Sequence, residues 1–292
     1  MRSGIILLDK AAGKSSAKCI AELKRKLSLE KIGHAGTLDP MATGLLVCLC
    51  GRATRFADYA QKGRKRYSGV MRFGITTDSD DITGKAVAVS DYLPEADKVQ
   101  EATKHFIGAL NQLPPQISAI KISGKAAYRR VREGERVELQ SRRVEVYSFS
   151  LSPLAPGDFA FDIECSSGTY IRSIARDLGA MMGCGAVLSS LRRESSAPFD
   201  ITQASTLEEI SEHDLLAWDL IFPEAQRVVL SEIGRRCLIN GQKATLSRIV
   251  EREMGNSSGM LVCIDEKSKA AIGLLQAAGG DGSWEIKATC AA

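Results

Sequence analysis

The sequence predicts an α+β fold, with a mixed, mainly antiparallel sheet and flanking helices, and three observations carry that prediction. Apolar runs of strand length alternate with stretches of helical spacing, most strands arrive in hairpin-like pairs, and beyond Ile221-Phe222-Pro223 the pattern changes to short strands punctuated by glycine. That change divides the 292 residues into a large unit, 1–224, and a small β-rich unit, 225–292. One large domain with a small appendage suits a chain of this length.

The elements follow in order. Ile5 to Asp9 reads as a short buried strand. Ser15-Ser16 then caps a helix whose Ile20, Leu23 and Leu27 share one face. Gly44 to Cys50 is a continuous apolar run suited to a buried strand, Thr54 to Gln61 reads as helix, and Arg66 to Phe73 returns as a strand. Thr76 to Gly84 is rich in turn formers, with Lys85 to Val89 as the returning hairpin strand. Pro94 to Leu110 has helical periodicity, Ile117 to Ile122 alternates as a strand, and Lys125 to Glu133 reads as helix. Val144 to Leu151 and Phe159 to Cys165 are strands, Gly168 to Met182 a helix, and Ala186 to Arg193 a strand. In the small unit, Ser231 to Leu238 reads as helix. Val250 to Glu253, Met260 to Asp265, Ala271 to Leu275 and Trp284 to Lys287 read as strands.

Composition excludes several classes. No run approaches the eighteen or so apolar residues of a membrane span, and Ile5 to Leu8 is too short for the apolar part of a secretory signal, so cytoplasmic residence is expected. Eight scattered cysteines form no C-x-x-C pair, and with only His34, His105 and His213 beside them a zinc site has little to work with. Reduced, mostly buried thiols are expected. Gly13-Lys14-Ser15 lacks the glycine a P-loop needs five positions earlier, where Leu8 stands. Asp78, Asp80 and Asp81 have the composition of a solvated turn rather than of a metal site.

Net charge is +4 and uneven: Gln61 to Phe73 holds Lys62, Arg64, Lys65, Arg66 and Arg72 with no acid, and Lys121 to Glu145 holds eight basic residues against four acidic. Clusters of this kind suit a phosphate backbone, although each also fits an ordinary solvated face.

One segment stands apart: GHAGTLDPMATGLL, residues 33–46. Pro40 steers Asp39 away from helical geometry, while Gly33, Gly36 and Gly44 permit close approach by a ligand. Taken alone, an Asp-Pro turn whose carboxylate caps a neighbouring amide fits equally well.

This segment closely resembles the signature loop of the TruB family of tRNA pseudouridine synthases, and further motifs follow in the family's order. KRY at 65–67 is similar to the strand segment bearing its tyrosine, SSGTYIRSIARDLG at 166–179 to its arginine motif, and LSSLRR at 188–193 to its leucine motif. The segment 113–139 is similar to the part that grips RNA. Ala11 departs from the proline usual after Lys10, and Ile117 stands where the family is often aromatic.

The resemblance implies a pseudouridine-synthase-like catalytic domain followed by a PUA-like RNA-binding domain. It implies Asp39 as the catalytic carboxylate, Tyr67 as the residue stacking on the target base, and Arg172 as the partner that holds the aspartate. It further implies that His34, Tyr170 and Leu191 line the RNA or base pocket and that Lys10 supports the loop. The implied substrate is the T-arm uridine of tRNA at conventional position 55, with no metal, no cofactor and no obligatory protein partner. An isomerisation from an N1 to a C5 glycosidic bond involves no net oxidation. The carboxylate acts either as a nucleophile or through proton abstraction at the sugar. Extruding the base costs a few kcal/mol, and stacking on Tyr67 returns roughly 1–3 kcal/mol. An RNA-binding protein without catalysis on the same scaffold, and an aspartate-dependent hydrolase, are the rival readings.

Overall fold

The computed structural model describes residues 3–117, 121–122, 125–126, 139–254, 259–278 and 283–290. The large sheet begins with β1 (Gly4–Lys10), followed by helix α1 (Ser16–Lys26), whose first turn is capped by Ser15 Oγ accepting from Lys18 N at 3.2 Å. Next come β2 (Ile32–His34), β3 (Thr43–Cys50), a 3₁₀ turn over Gly51–Phe56 and α2 (Ala57–Lys62). β4 (Lys65–Phe73) leads to the hairpin of β5 (Ile75–Thr77) and β6 (Ala86–Val89), then α3 (Ala96–Thr103) and β7 (Gly108–Gln112). A two-residue ladder of β8 (Lys121–Ile122) and β9 (Lys125–Ala126) precedes β10 (Arg142–Ala155), β11 (Asp158–Cys165), α4 (Ile171–Met181) and β12 (Ala186–Ser196). Short β13 (Phe199–Asp200) and β14 (Ser205–Thr206) close the unit.

The strands run β14-β1-β3-β12-β4-β11-β10-β7, with β2 on β3 and β13 on β12. Only β1 with β14 and β3 with β12 pair in parallel in this sheet, which is therefore mixed and mainly antiparallel. Burial on both faces explains the unbroken apolar run of β3. Leu46, Cys48 and Cys50 join the core under α1, α3 and α4, while Leu45, Val47 and Leu49 join a second core with Phe56, Trp218 and Phe222. β1 divides in the same way, Ile6 and Leu8 to one side and Ile5 and Leu7 to the other.

A second sheet, β15 (Gln226–Leu230), β16 (Met260–Asp265), β17 (Ala271–Ala277) and β18 (Trp284–Thr289), carries α5 (Glu232–Ile239) and α6 (Lys243–Met254). Val262 and Leu274 of this sheet enter the second core, and Trp218 Nε1 donates to Ala271 O at 3.0 Å. The sheet therefore shares buried apolar surface with the large unit.

Four sequence assignments change. Helix does not continue to Leu110: Gly108, at φ +99°, breaks it, and Gly108–Gln112 becomes an edge strand on β10. Lys125-Ala126 is strand rather than helix, and residues 127–133 lie outside the described residues, as do 118–120 of the strand expected over 117–122. Val250 to Glu253 is the end of α6, because Leu246 and Val250, one helical turn apart, bury a single stripe. Gln226–Leu230, with no element assigned from sequence, is a strand parallel to β16.

Candidate active site

The β2–β3 connection carries Asp39 out of the sheet, and neighbouring chain fixes its course. Buried Lys10 donates to Ala42 O at 2.6 Å, Ala11 O at 2.9 Å and Pro40 O at 3.3 Å, clasping both sides of the loop. Burial lowers the Lys10 pKa from its ordinary value. Ser16 Oγ accepts from Leu38 N at 2.9 Å and donates to Leu38 O at 3.0 Å, and Gly13 N donates to Pro40 O at 2.8 Å. These contacts bind the segment after Ala11 to the loop without help from a proline.

Arg172, one residue into α4, reaches across to this loop. Its Nε donates to Asp39 Oδ2 at 2.9 Å and its Nη2 to Asp39 Oδ1 at 3.0 Å, a two-bond fork. Nη1 donates to Ser79 O at 2.8 Å and Ile117 O at 3.0 Å. The guanidinium side chain is 4% exposed and the Asp39 side chain 31%, so the pair presents its carboxylate outward. Asp81 Oδ2 stands 3.8 Å from Arg172 Nε, placing one guanidinium between two acids.

That second acid corrects the solvated-turn assignment of residues 76–84. Asp80 and Asp81 are buried. Asp81 Oδ1 accepts from Ser79 Oγ and Thr83 N, each at 2.9 Å, while Asp80 Oδ2 lies 3.1 Å from Arg176 Nη1. Burial raises the Asp80 pKa against the pull of Arg176. Locally the sequence shows only turn formers; α4 supplies the two arginines that draw the acids inward.

Tyr67 and Lys65 sit on the inward face of β4 while Arg66 faces solvent, the period-two alternation of a strand. Tyr67 pairs across the sheet with Arg193 on β12 and Ile163 on β11, and Leu191 pairs with Gly69. Tyr67, Arg193 and Leu191, together with Asp39, Arg172 and Tyr170, line a cavity of about 310 Å³, within the size range of small-molecule sites. Burial raises the Tyr67 phenol pKa, while Arg193 pulls the other way.

The structure thus gathers Asp39, Tyr67, Arg172, Tyr170 and Leu191 about one cavity, with Lys10 behind its loop. His34 is not among the lining residues. It lies on β2 opposite Cys48, its Nδ1 buried without an acceptor or donor partner among the described residues, its pKa lowered by burial and by Arg193.

Several lining residues escaped the sequence reading. Arg193, 1% exposed, donates from Nε to Leu45 O at 2.7 Å and from Nη2 to Gly36 O at 3.2 Å. Of the loop glycines, Gly44 serves this residue rather than a ligand: a Cβ there would stand 2.4 Å from Arg193 O, whereas Gly36 lines the cavity and Gly33 meets only Thr54. Lys65, also buried, has its pKa lowered to about 8, first by burial and then by Arg193. Arg142 and Gln61 complete the mouth. LSSLRR held a signal for Arg193, since its arginine falls on the same strand face as Leu191.

The basic run at 62–72 is largely neutralised by β11. Arg66 Nε bonds Asp162 Oδ1 at 3.0 Å, Arg72 forms two bonds to Asp158 at 2.7 and 2.8 Å, and Arg64 stacks on Tyr147 at 3.9 Å with Glu164 Oε1 3.5 Å away. Among the described residues no group of three or more His, Cys, Asp or Glu could hold a metal ion, and no helix is long and apolar enough to cross a membrane. All eight cysteines are unpaired thiols, seven of them buried.

The family model described as TruB family pseudouridylate synthase (N terminal domain) matches residues 24–171, and that of the tRNA pseudouridylate synthase B C-terminal domain matches 172–246. The chain is 42% identical over 221 residues to tRNA pseudouridine synthase B of Thermobifida fusca, covering 72% of this chain and 75% of the relative. It is 32% identical over 280 residues to tRNA pseudouridine synthase B of Alkaliphilus oremlandii, covering 94% and 93%. Among solved structures, a chain of a Cbf5-Nop10-Gar1 complex superposes with a TM-score of 0.67 at 23% identity, over 99% of this chain and 84% of that one, a likeness of fold.

Proposed function

The chain belongs to the TruB family and is a tRNA pseudouridine synthase, and from that premise we propose that it isomerises the T-arm uridine at conventional tRNA position 55 through Asp39. The observation that carries the residue assignment is the fork from Arg172 to both oxygens of Asp39 at the wall of the cavity. A fork fixes the plane of the carboxylate, yet each oxygen keeps a lone pair for the incoming nucleoside.

The uridine leaves the RNA stack and enters the cavity beside Tyr67, whose buried ring supplies a stacking face. Asp39 then acts at the nucleoside, as nucleophile or as base at the sugar, while the N1–C1′ bond breaks. The uracil turns, C5 bonds to C1′, the C5 proton is released, and the freed N1 takes up a proton, so the product is an isomer of the substrate. Tyr170 and Leu191 complete the pocket, and Lys10 keeps the loop in register. His34 takes part only through the β2 framework behind Arg193. Residues 225–292 form the second domain, a PUA-like unit that holds RNA beside the catalytic domain, residues 1–224. The protein works in the cytoplasm without an obligatory protein partner.

Unmodified tRNA tritiated at uracil C5 tests this reading. Tritium reaches water with the natural protein, and Asp39→Asn slows release by about 10³-fold or more. Full release by Asp39→Asn overturns the role of Asp39. No release by either protein, with tRNA still bound, overturns the assignment of substrate or catalysis.

A further inference from the structure

Three arginines line the catalytic cavity, and the protein uses them differently. Arg172 is committed to Asp39 and two backbone carbonyls, and Arg193 to the carbonyls of Leu45 and Gly36. Both are almost fully buried. Arg142, at the start of β10, is only half-buried, and its Nη2 has no hydrogen-bond acceptor among the described residues although it is shielded from solvent. An arginine N–H deprived of both water and protein acceptors is an unsatisfied donor, which native structures rarely leave without a purpose.

What holds Arg142 is a ring. Its guanidinium carbon lies 4.5 Å from the centroid of Tyr170. Tyr170 is itself immobilised by Gln112, the cross-strand neighbour of Arg142, which accepts from Tyr170 N at 2.7 Å and donates to Tyr170 O at 3.0 Å. Gly168 lets this backbone approach closely, since a Cβ there would stand 3.3 Å from Arg142 Nη1. Among the described residues stacking is what holds this guanidinium, and because the ring offers no directional acceptor, small changes in the side-chain torsions slide the group across the ring face at little cost. The side chain is therefore stacked in place while its Nη2 keeps an unused donor.

We propose that Arg142 grips a phosphodiester flanking the extruded uridine, pivoting on the Tyr170 ring to bring Nη2 to its oxygens. The inference rests on the proposed substrate. Burial sets the order along the cavity: Arg172 and Arg193 lie deep, where the base enters, and Arg142 lies at the mouth, where the sugar-phosphate chain must stay. Phosphates carry the formal negative charges of the RNA, and their paired oxygens match a guanidinium edge.

T-arm stem-loops carrying a single neutral methylphosphonate, 5′ or 3′ of the target uridine, test the inference. With the natural protein, one of the two neutral linkages raises the dissociation constant on the order of 10-fold. Arg142→Gln raises it similarly for the natural RNA, abolishes discrimination against that linkage, and reduces the slope of log affinity against log salt by about 0.7. Arg142→Lys, which keeps charge and loses the fork, weakens binding but retains the salt slope. If the natural protein ignores both linkages, or Arg142→Gln keeps the salt slope and the discrimination, the inference is overturned. A loss of turnover in Arg142→Gln without any change in binding also overturns it, leaving only a role in steadying Tyr170. Should Arg142→Gln melt with the protein unfolded, Arg142→Lys carries the linkage comparison alone, and undiminished discrimination there counts against the fork. Tritium release from the unmodified stem-loop by the natural protein is the control. Its absence defeats the substrate reading, whereas its presence with unaltered Arg142 responses defeats this inference alone.

Discussion

Two sets of arginine–carboxylate pairs make opposite use of the same chemistry. On the outer face of β4, Arg66 and Arg72 meet Asp162 and Asp158 of β11 in water, with the arginine side chains 57% and 45% exposed. Around the cavity, Arg172 meets Asp39 and Asp81 with its guanidinium out of reach of solvent. Exposed pairs contribute little, because water screens them and long side chains lose freedom, whereas a buried guanidinium is costly to leave unmatched. The outer pairs remain in water, whereas the inner cluster fixes the plane of the Asp39 carboxylate at the cavity wall. The comparison also shows that a basic run without local acids is no measure of free positive charge, since an adjacent strand supplies acids to three of its five cations.

The strongest way to break this contrast is Arg172→Met. It strands Asp81 in the interior and leaves Ser79 O and Ile117 O without that donor, so unfolding in urea should show a loss of about 3–5 kcal/mol, with tritium release abolished. A loss under about 1 kcal/mol would place Arg172 with the surface pairs. Arg172→Lys keeps the charge but not the fork, and misplacement of Asp39 should slow turnover by about 10²-fold.

Lys65 sharpens the comparison, being a member of the outer cluster by sequence and of the inner one by burial. Its folded pKa, about 8, lies below the ordinary 10.5, so between these values the unfolded chain binds more protons than the folded one. The cost of burying the ammonium, about 3 kcal/mol, is therefore present in full below pH 8 and is relieved as pH rises toward 10.5. Against Lys65→Met, the natural protein should gain stability across that window, as measured by chemical denaturation at stepped pH; parallel curves would show that Lys65 is solvated.

Gly44→Ala is expected to cost about 1–3 kcal/mol, since the new methyl meets the Arg193 backbone at a position with φ +96°. An unchanged melting temperature would mean that β3 and β12 separate readily there. The smallest effect belongs to Arg66→Ala and Arg72→Ala, under about 1 kcal/mol each, with the salt slope of tRNA binding unaltered. A fall of about 0.7–0.9 per substitution would show that these residues face phosphate after all.

Much of this was legible in the sequence where the signal is local. The buried strand Gly44 to Cys50, the capped helix after Ser15 and the strand Arg66 to Phe73 depend on spacing within one segment, and spacing is visible. Val250 to Glu253 misled because four residues cannot separate strand from helix; the stripe of Leu246 and Val250 is needed. Asp80 and Asp81 misled for a different reason. Nothing within nine residues of Thr76 announces α4, yet Arg172 and Arg176 decide whether those acids meet water or a guanidinium. Arg193 was hidden in the same way, since its function depends on carbonyls of Leu45 and Gly36 some 150 residues earlier in the chain.

By itself, the sequence carried the α+β class in its periodicity, a change of pattern near residue 225 that suggests a second unit, and, through motifs that resemble the TruB family in order, the candidates Asp39, Tyr67, Arg172, His34, Tyr170, Leu191 and Lys10. Tertiary structure decided which charges pair with one another, that His34 stands off the cavity, and that Arg142 lines it with an Nη2 donor unmatched among the described residues. Those outcomes depend on distance and burial, and a charge has no fixed chemical meaning until folding sets its neighbours and its access to water.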